Sequence, residues 1–231
     1  LCSATGVSKD AVVVGDVLDR ESLKAAFEGA ESVVVCTSAV PKIKFFSILK
    51  LLFKKMILRK ENPGRPEFRW RKNGEPELVD YKGLMNQVDM AKEAGVKQMV
   101  VVGSMGGTQP ENFLNTIGKR PDGTGGDILL WKRKAEKYLI DSGLPYTIVH
   151  AGGLTDTEGG NRTLLMDVDD KLLSADERSI PRADVAEVCV RALGLPAAMN
   201  RAVDLASKTG EATEDVEGLW GLPVGNCDYS K

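Results

Sequence analysis

Ser104 closes the run Gln98-Met99-Val100-Val101-Val102-Gly103-Ser104, and Gly106, Gly107 and Thr108 follow directly. Three β-branched valines in succession, with no polar alternation, predict a strand buried on both faces of a parallel sheet. The glycines beyond it let the backbone turn sharply or approach a ligand. In an open α/β sheet the ligand crevice lies outside the carboxyl ends of the strands, so this spacing puts Ser104 where chemistry happens. A buried strand followed by an ordinary glycine turn would carry the same residues. His150 is the only histidine, which excludes a His-rich metal site and leaves any Ser-His triad dependent on one residue. Cys2, Cys36, Cys189 and Cys227 are far apart, with no C-x-x-C pair. Cys36 falls in an apolar strand and Cys189 in a helical apolar stripe, so they read as core thiols of a reducing compartment.

The elements that must position these residues alternate along the chain. Strands are expected at 11–14, 32–36, 98–102, 146–150 and 202–206, all short and rich in valine, isoleucine or alanine. Asp19 can cap a helix over 20–28 that Gly29 ends, and Gly95 closes a helix over 78–94 carrying Leu84, Val88 and Ala91 on one face. A third helix covers 128–142, and Pro181 opens a fourth with Val185, Val188, Cys189 and Ala192. Five strands separated by helices or long loops require a doubly wound parallel sheet with right-handed crossovers. At 231 residues and 25.0 kDa, one domain over 1–231 accounts for the chain. A net charge of −2 gives no general reason to expect nucleic-acid binding. The start has no Met, no basic segment and no long apolar core of a signal peptide, and reads as a fragment.

Several motifs together carry a family resemblance. Val79-Asp80-Tyr81-Lys-Gly83-x-x-Asn86, Ala91-Lys-Glu-Ala-Gly95, Trp131-Lys-Arg-Lys134-Ala-Glu136, Ala151-Gly-Gly-Leu154 and Pro181-Arg-Ala-Asp184-Val185 occur in this order. The chain thereby resembles the atypical short-chain dehydrogenases/reductases, in the NmrA-like NAD(P)-binding subgroup common in plants and algae. The resemblance implies a Rossmann-like fold, NADP or alternatively NAD as cofactor, and hydride transfer to a small, uncharged or carbonyl-bearing substrate. It also implies roles for single positions. Asp16 and Val17 match the adenine contact, and Thr37, Ser38 and Ala39 match the turn along the cofactor riboses. Ser104 matches the serine beside the nicotinamide, Lys134 the lysine that grips the ribose hydroxyls, and Ala151, Gly152, Gly153 and Leu154 the loop at the nicotinamide edge.

Two departures stand out. The family's G-x-x-G-x-x-G loop and the first βα unit that bears it, expected before Leu1, are absent from the sequence. Four residues before Lys134 stands Leu130 in place of the catalytic tyrosine, leaving Ser104, Tyr81, His150 or water to deliver a proton. The competing reading is a non-catalytic dinucleotide sensor or scaffold.

Residues 42–60 hold seven basic side chains and no acid, within what reads as an insertion over 42–66. Wound as a helix, Phe45, Phe46, Leu49, Leu52, Phe53, Met56 and Ile57 share an arc. Because Ile43, Ile48, Leu51 and Leu58 blur the polar face, the expectation is a helix packed on its own domain. The alternative is peripheral contact with an anionic membrane. No run of 18 apolar residues occurs. Cytoplasm or chloroplast stroma is the expected location, and the tail over 208–231 shows no periodicity.

Overall fold

The computed structural model describes residues 8, 11–59, 62 and 64–230. Cys2 lies outside them. Four parallel strands form the centre: β1 (Ser32–Val35), β4 (Gln98–Ser104), β5 (Tyr146–Ala151) and β9 (Arg201–Lys208). The sheet order is β1-β4-β5-β9-β7, with β7 (Thr163–Asp167) antiparallel to β9 at one edge, while β6 (Gly153–Thr155) and β8 (Ser179–Pro181) pair apart from it. This is the expected α/β, Rossmann-like sheet of mostly parallel strands, with β7 added as an antiparallel edge strand. Leu164 and Met166 bury one face of β7 while their neighbours stay partly exposed, the alternation of an edge strand that is covered on one side.

The expected strand over 11–14 does not form. Val12, Val13 and Val14 are exposed, Val14 at 91 %, and the segment is unpaired among the described residues. A valine run becomes a strand only when a neighbour takes its backbone hydrogen bonds. Cys36 is also corrected: β1 leaves the sheet after Val35 pairs with Val101, so this thiol is exposed. Cys189 and Cys227 are buried, and burial pushes the Cys189 thiol up to about 12.

Helices flank the strands. In α1 (Arg20–Phe27) the Asp19 carboxylate accepts from the Glu21 amide at 3.1 Å, as the sequence predicts. The helix expected over 78–94 begins as a π-helical turn at Glu77–Lys82 and continues as α3 (Gly83–Glu93). Gly95 ends it at φ +72°, a left-handed conformation that suits glycine. Then come α4 (Ile128–Asp141) and α5 (Arg182–Arg191). Val88, Met99, Val100, Leu139, Ile148 and Val188 meet in the core between helices and sheet.

Two features differ from expectation outside the sheet. A two-stranded ribbon, β2 (Lys42–Ile43) with β3 (Phe68–Arg69), brackets α2 (Phe45–Met56). Ser47 is the one residue buried in α2, while the apolar arc faces outward. The expected packing on the body of the protein therefore fails. The aperiodic tail, in contrast, folds back: Trp220 is buried, and the Cys227 amide donates to the Ala202 carbonyl at 2.9 Å.

Candidate active site

β4 and β5 end side by side, with Ser104 opposite Ala151 in the parallel register. Ser104, Ala151, Gly152, Gly153 and Leu154 line one open cleft of about 680 Å³. Met105, Phe113, Leu114 and Leu173 give its wall an apolar character, and Arg178 and Ser179 supply polar edges. The Ser104 hydroxyl donates to the Met105 carbonyl at 3.2 Å. Gly152 is required here, because a Cβ at this position would collide with the Arg178 carbonyl. The loop after β4 is pinned by the buried Asp170 carboxylate. Asp170 accepts from the Gly106 amide at 2.6 Å, and from the Thr108 amide and hydroxyl at 2.8 and 2.6 Å.

The turn after β1 is held from the opposite side. The buried Asp80 carboxylate accepts from the Ser38 hydroxyl at 3.0 Å and from the Ala39 amide at 3.2 Å. It also pairs with Lys132 Nζ at 2.6 Å. Gln87 Nε2 donates to the Thr37 hydroxyl at 3.3 Å, while its neighbour Asn86 donates to the Val17 carbonyl at 2.9 Å. Consecutive residues of α3 thus hold both the Thr37 turn and the Asp16 turn. Asp16 accepts from the Leu18 amide at 2.9 Å.

The two lysines of α4 are placed differently. Lys134 is exposed, with Nζ 4.5 Å from the Tyr81 ring and 5.2 Å from the Trp131 ring. Lys132 instead reaches inward to Asp80 and borders a small void of about 10 Å³ that Ser104 also borders. The reason is helical register: Leu129, Lys132, Glu136 and Leu139 lie on the face of α4 turned to the sheet, and Lys134 lies off it. Leu130 also points outward. Counting four residues back from Lys132 reaches Ile128, so neither lysine has a tyrosine at this spacing.

Sequence reasoning missed a buried ionic cluster beneath these residues. His150 on β5 has Nε2 3.1 Å from Glu136 Oε2 and Nδ1 3.2 Å from Asp204 Oδ1. The Tyr229 hydroxyl donates to the same Glu136 oxygen at 3.1 Å, and Cys227 Sγ lies 3.6 Å from His150 Nδ1. Burial opposes charge on the imidazole, yet the Glu136 charge and the hydrogen bond to Asp204 prevail and raise His150 well above 6.5. Burial likewise pushes Glu136 up, but the His150 and Lys132 charges and the hydrogen bonds outweigh it and lower its carboxyl. Both ring nitrogens are engaged by buried carboxylates, and His150 does not line the Ser104–Leu154 cleft. His150 Nδ1, Asp204 and Cys227 also offer three donor atoms of the types that ligate metals, all within 4.8 Å of one another. Their mutual hydrogen bonds account for the same arrangement. A spacing of inward polar residues among apolar ones on α4 was the available signal for Glu136; Tyr229 and Cys227 had none.

The description NAD(P)H-binding belongs to the family model that matches residues 3–196. The chain belongs to that family. As an NAD(P)H-binding protein of the atypical short-chain dehydrogenase/reductase type, it is 50 % identical over 216 residues to an uncharacterized chloroplastic protein of Arabidopsis thaliana, covering 92 % of this chain and 61 % of that protein. It is 44 % identical over 220 residues to the sanguinarine reductase of Eschscholzia californica, covering 91 % and 78 % respectively. The fold is shared with the crystal structure of the oxidoreductase ylbE from Lactococcus lactis, at a TM-score of 0.55 and 19 % identity, covering 90 % and 76 %. A lysine, a carboxylate and hydroxyls stand at the strand ends, donor types that suit the ribose hydroxyls of a nicotinamide dinucleotide and polar substrate groups.

Proposed function

We propose that the NAD(P)H-binding protein is a reductase, with NADP as cofactor and NAD as the alternative, acting on a small, uncharged or carbonyl-bearing compound in the Ser104 cleft. The observation that carries this reading is the convergence of Ser104 with Ala151, Gly152, Gly153 and Leu154 on one cleft, with the Asp80-paired Lys132 bordering a small void that Ser104 also borders. A bound nicotinamide supplies the hydride. Lys132, held by Asp80, would bind the ribose hydroxyls, and Ser38 and Ala39 would line the turn beside them. Asp16 and Val17 would meet the adenine. Ser104 would turn its hydroxyl from the Met105 carbonyl to the substrate oxygen and orient it, and the apolar cleft wall would exclude water. The 44 % identity to a sanguinarine reductase supports reduction as the direction, and sanguinarine, a cationic iminium rather than a carbonyl compound, is assayed beside the carbonyl panel as a second acceptor class.

The test is a titration with NADPH and NADH followed by absorbance-monitored turnover of sanguinarine and a panel of small carbonyl compounds. Saturable binding with turnover supports the proposal. Binding with no turnover of any acceptor supports the sensor or scaffold reading, which the lack of tyrosine at both Leu130 and Ile128 favours. The chloroplastic relative supports a plastid location, which a fluorescent fusion of the full-length protein would test.

A further inference from the structure

Helix α2 exposes Phe46 at 76 %, Met56 at 72 % and Phe45 at 68 %, with Leu49, Leu52, Phe53 and Ile57 also open. A contiguous apolar face of this kind on an otherwise charged surface marks an interaction site. The helix is fixed to the protein by its other side. Ser47 accepts from the Glu67 amide at 3.0 Å and donates to the Lys44 carbonyl at 2.6 Å. Leu51, one turn on, is partly buried on that same side. The bracket of β2 and β3 ties down the chain at both ends, and Lys44 pairs with Glu67 at 3.2 Å. The anchoring contacts therefore turn the apolar arc away from the body of the protein.

Charge decides what the arc meets. At 100° per residue, Lys50 and Lys54 border it on one flank and Lys55 on the other, and residues 42–60 contain seven basic side chains and no acid. Two such helices placed face to face would bring basic flanks together, which disfavours a second copy of the chain. A polyanion such as nucleic acid would leave the phenylalanines unused. An anionic lipid surface satisfies both sets, with the apolar arc among acyl chains and lysine stems running up to the headgroups. Twelve residues make a helix about 18 Å long, too short to span a bilayer, so it would lie in the plane. Among the described residues no helix is long and apolar enough to cross a membrane.

We infer that α2 docks the protein on an anionic membrane surface, with Phe45, Leu49, Leu52, Phe53 and Met56 inserted and Lys50, Lys54 and Lys55 at the headgroups. This inference is independent of the reductase activity.

Co-sedimentation with vesicles mixing phosphatidylcholine and phosphatidylglycerol, against phosphatidylcholine alone, tests it on the whole chain. The protein should pellet with the mixed vesicles and be released by salt. Combined Lys50→Glu, Lys54→Glu and Lys55→Glu should lower partitioning by on the order of a hundredfold. Combined Phe45→Ser and Phe53→Ser should lower it comparably, and Lys137→Glu on α4 should not. All these side chains are exposed, so melting temperatures should stay unchanged and separate lost docking from lost folding. No pelleting with mixed vesicles, or pelleting that neither combined variant reduces, would overturn the inference. So would a dimer in solution that the phenylalanine changes dissociate without any vesicle binding.

Discussion

His150 Nε2 and Glu136 Oε2 lie 3.1 Å apart with both side chains buried, joining β5 to α4 beneath the candidate site. Asp204 on β9 holds the other ring nitrogen. One imidazole thus ties two neighbouring strands and a helix through charge, in an interior where each charge depends on its partners.

That dependence predicts stability limits at both ends of the pH scale. His150 is raised well above 6.5, so its contribution is complete below 6.5 and is lost as pH rises through the folded-state value. Glu136 is lowered from 4.5, so its contribution is complete above 4.5 and is lost as pH falls through its folded-state value. Thermal melts across pH should show a plateau with an alkaline decline, and His150→Gln should remove the part of that decline due to the imidazole. An alkaline limb identical in parent and variant would show that the imidazole is not the group responsible.

Removing one partner leaves the other charge stranded. Glu136→Ala should destabilise by about 3–5 kcal/mol at neutral pH. Glu136→Gln, which retains a hydrogen-bonding group of similar shape, should cost less. Urea unfolding of the two variants measures the difference, and equal losses would mean that the charge contributes little.

Gly103 is the backbone side of the same cluster. A Cβ there would stand 2.6 Å from Glu136 Oε1 and 2.8 Å from the His150 ring. Gly103→Ala should therefore cost about 1–3 kcal/mol by displacing the pair. Placed in the Glu136→Ala background, which removes the closest obstacle, the same change should cost clearly less, and a double-mutant cycle reads the coupling.

The central strands were legible because Val100 to Val102 and Ile148 to Val149 are buried on both faces, which sequence records as unbroken apolar runs. Asp19 and Gly95 were legible because caps depend on one residue and its immediate neighbours. The edge strand β7 was not, since its five residues gain their meaning from pairing with Ser207 and Leu205, far along the chain. The inward placement of Lys132 follows the 3.6-residue period through Leu129, Glu136 and Leu139, whereas the motif match by itself pointed to Lys134. Tyr229 and Cys227 reach His150 by a tail without regular structure, so no period points to them.

The tail should accordingly be structural. Trp220 is buried beside β9, and Arg201 donates to its carbonyl at 2.6 Å. Trp220→Ala should destabilise by about 3–5 kcal/mol, a magnitude expected for a large core side chain. A loss below about 1 kcal/mol would show that the tail contributes little to the core.

The two lysines of α4 make the sharpest functional contrast. Lys132 is nearly buried, 2.6 Å from the fully buried Asp80 carboxylate, and borders a small void that Ser104 also borders; Lys134 lies in solvent over Tyr81 and Trp131. If the ribose is gripped from this helix, Lys132→Ala should weaken NADPH binding by roughly 10- to 100-fold, the range of a lost charged hydrogen bond. Lys134→Ala should stay within about twofold of the parent. Lys132→Ala also strands Asp80, so a Lys132→Ala/Asp80→Asn double variant is needed to separate lost cofactor contact from a disturbed Ser38 turn. Weak binding that persists in the double variant assigns the contact to Lys132 itself. Recovered binding would mean that the lysine acts by neutralising Asp80, and weakened binding in Lys134→Ala alone would return the role to Lys134.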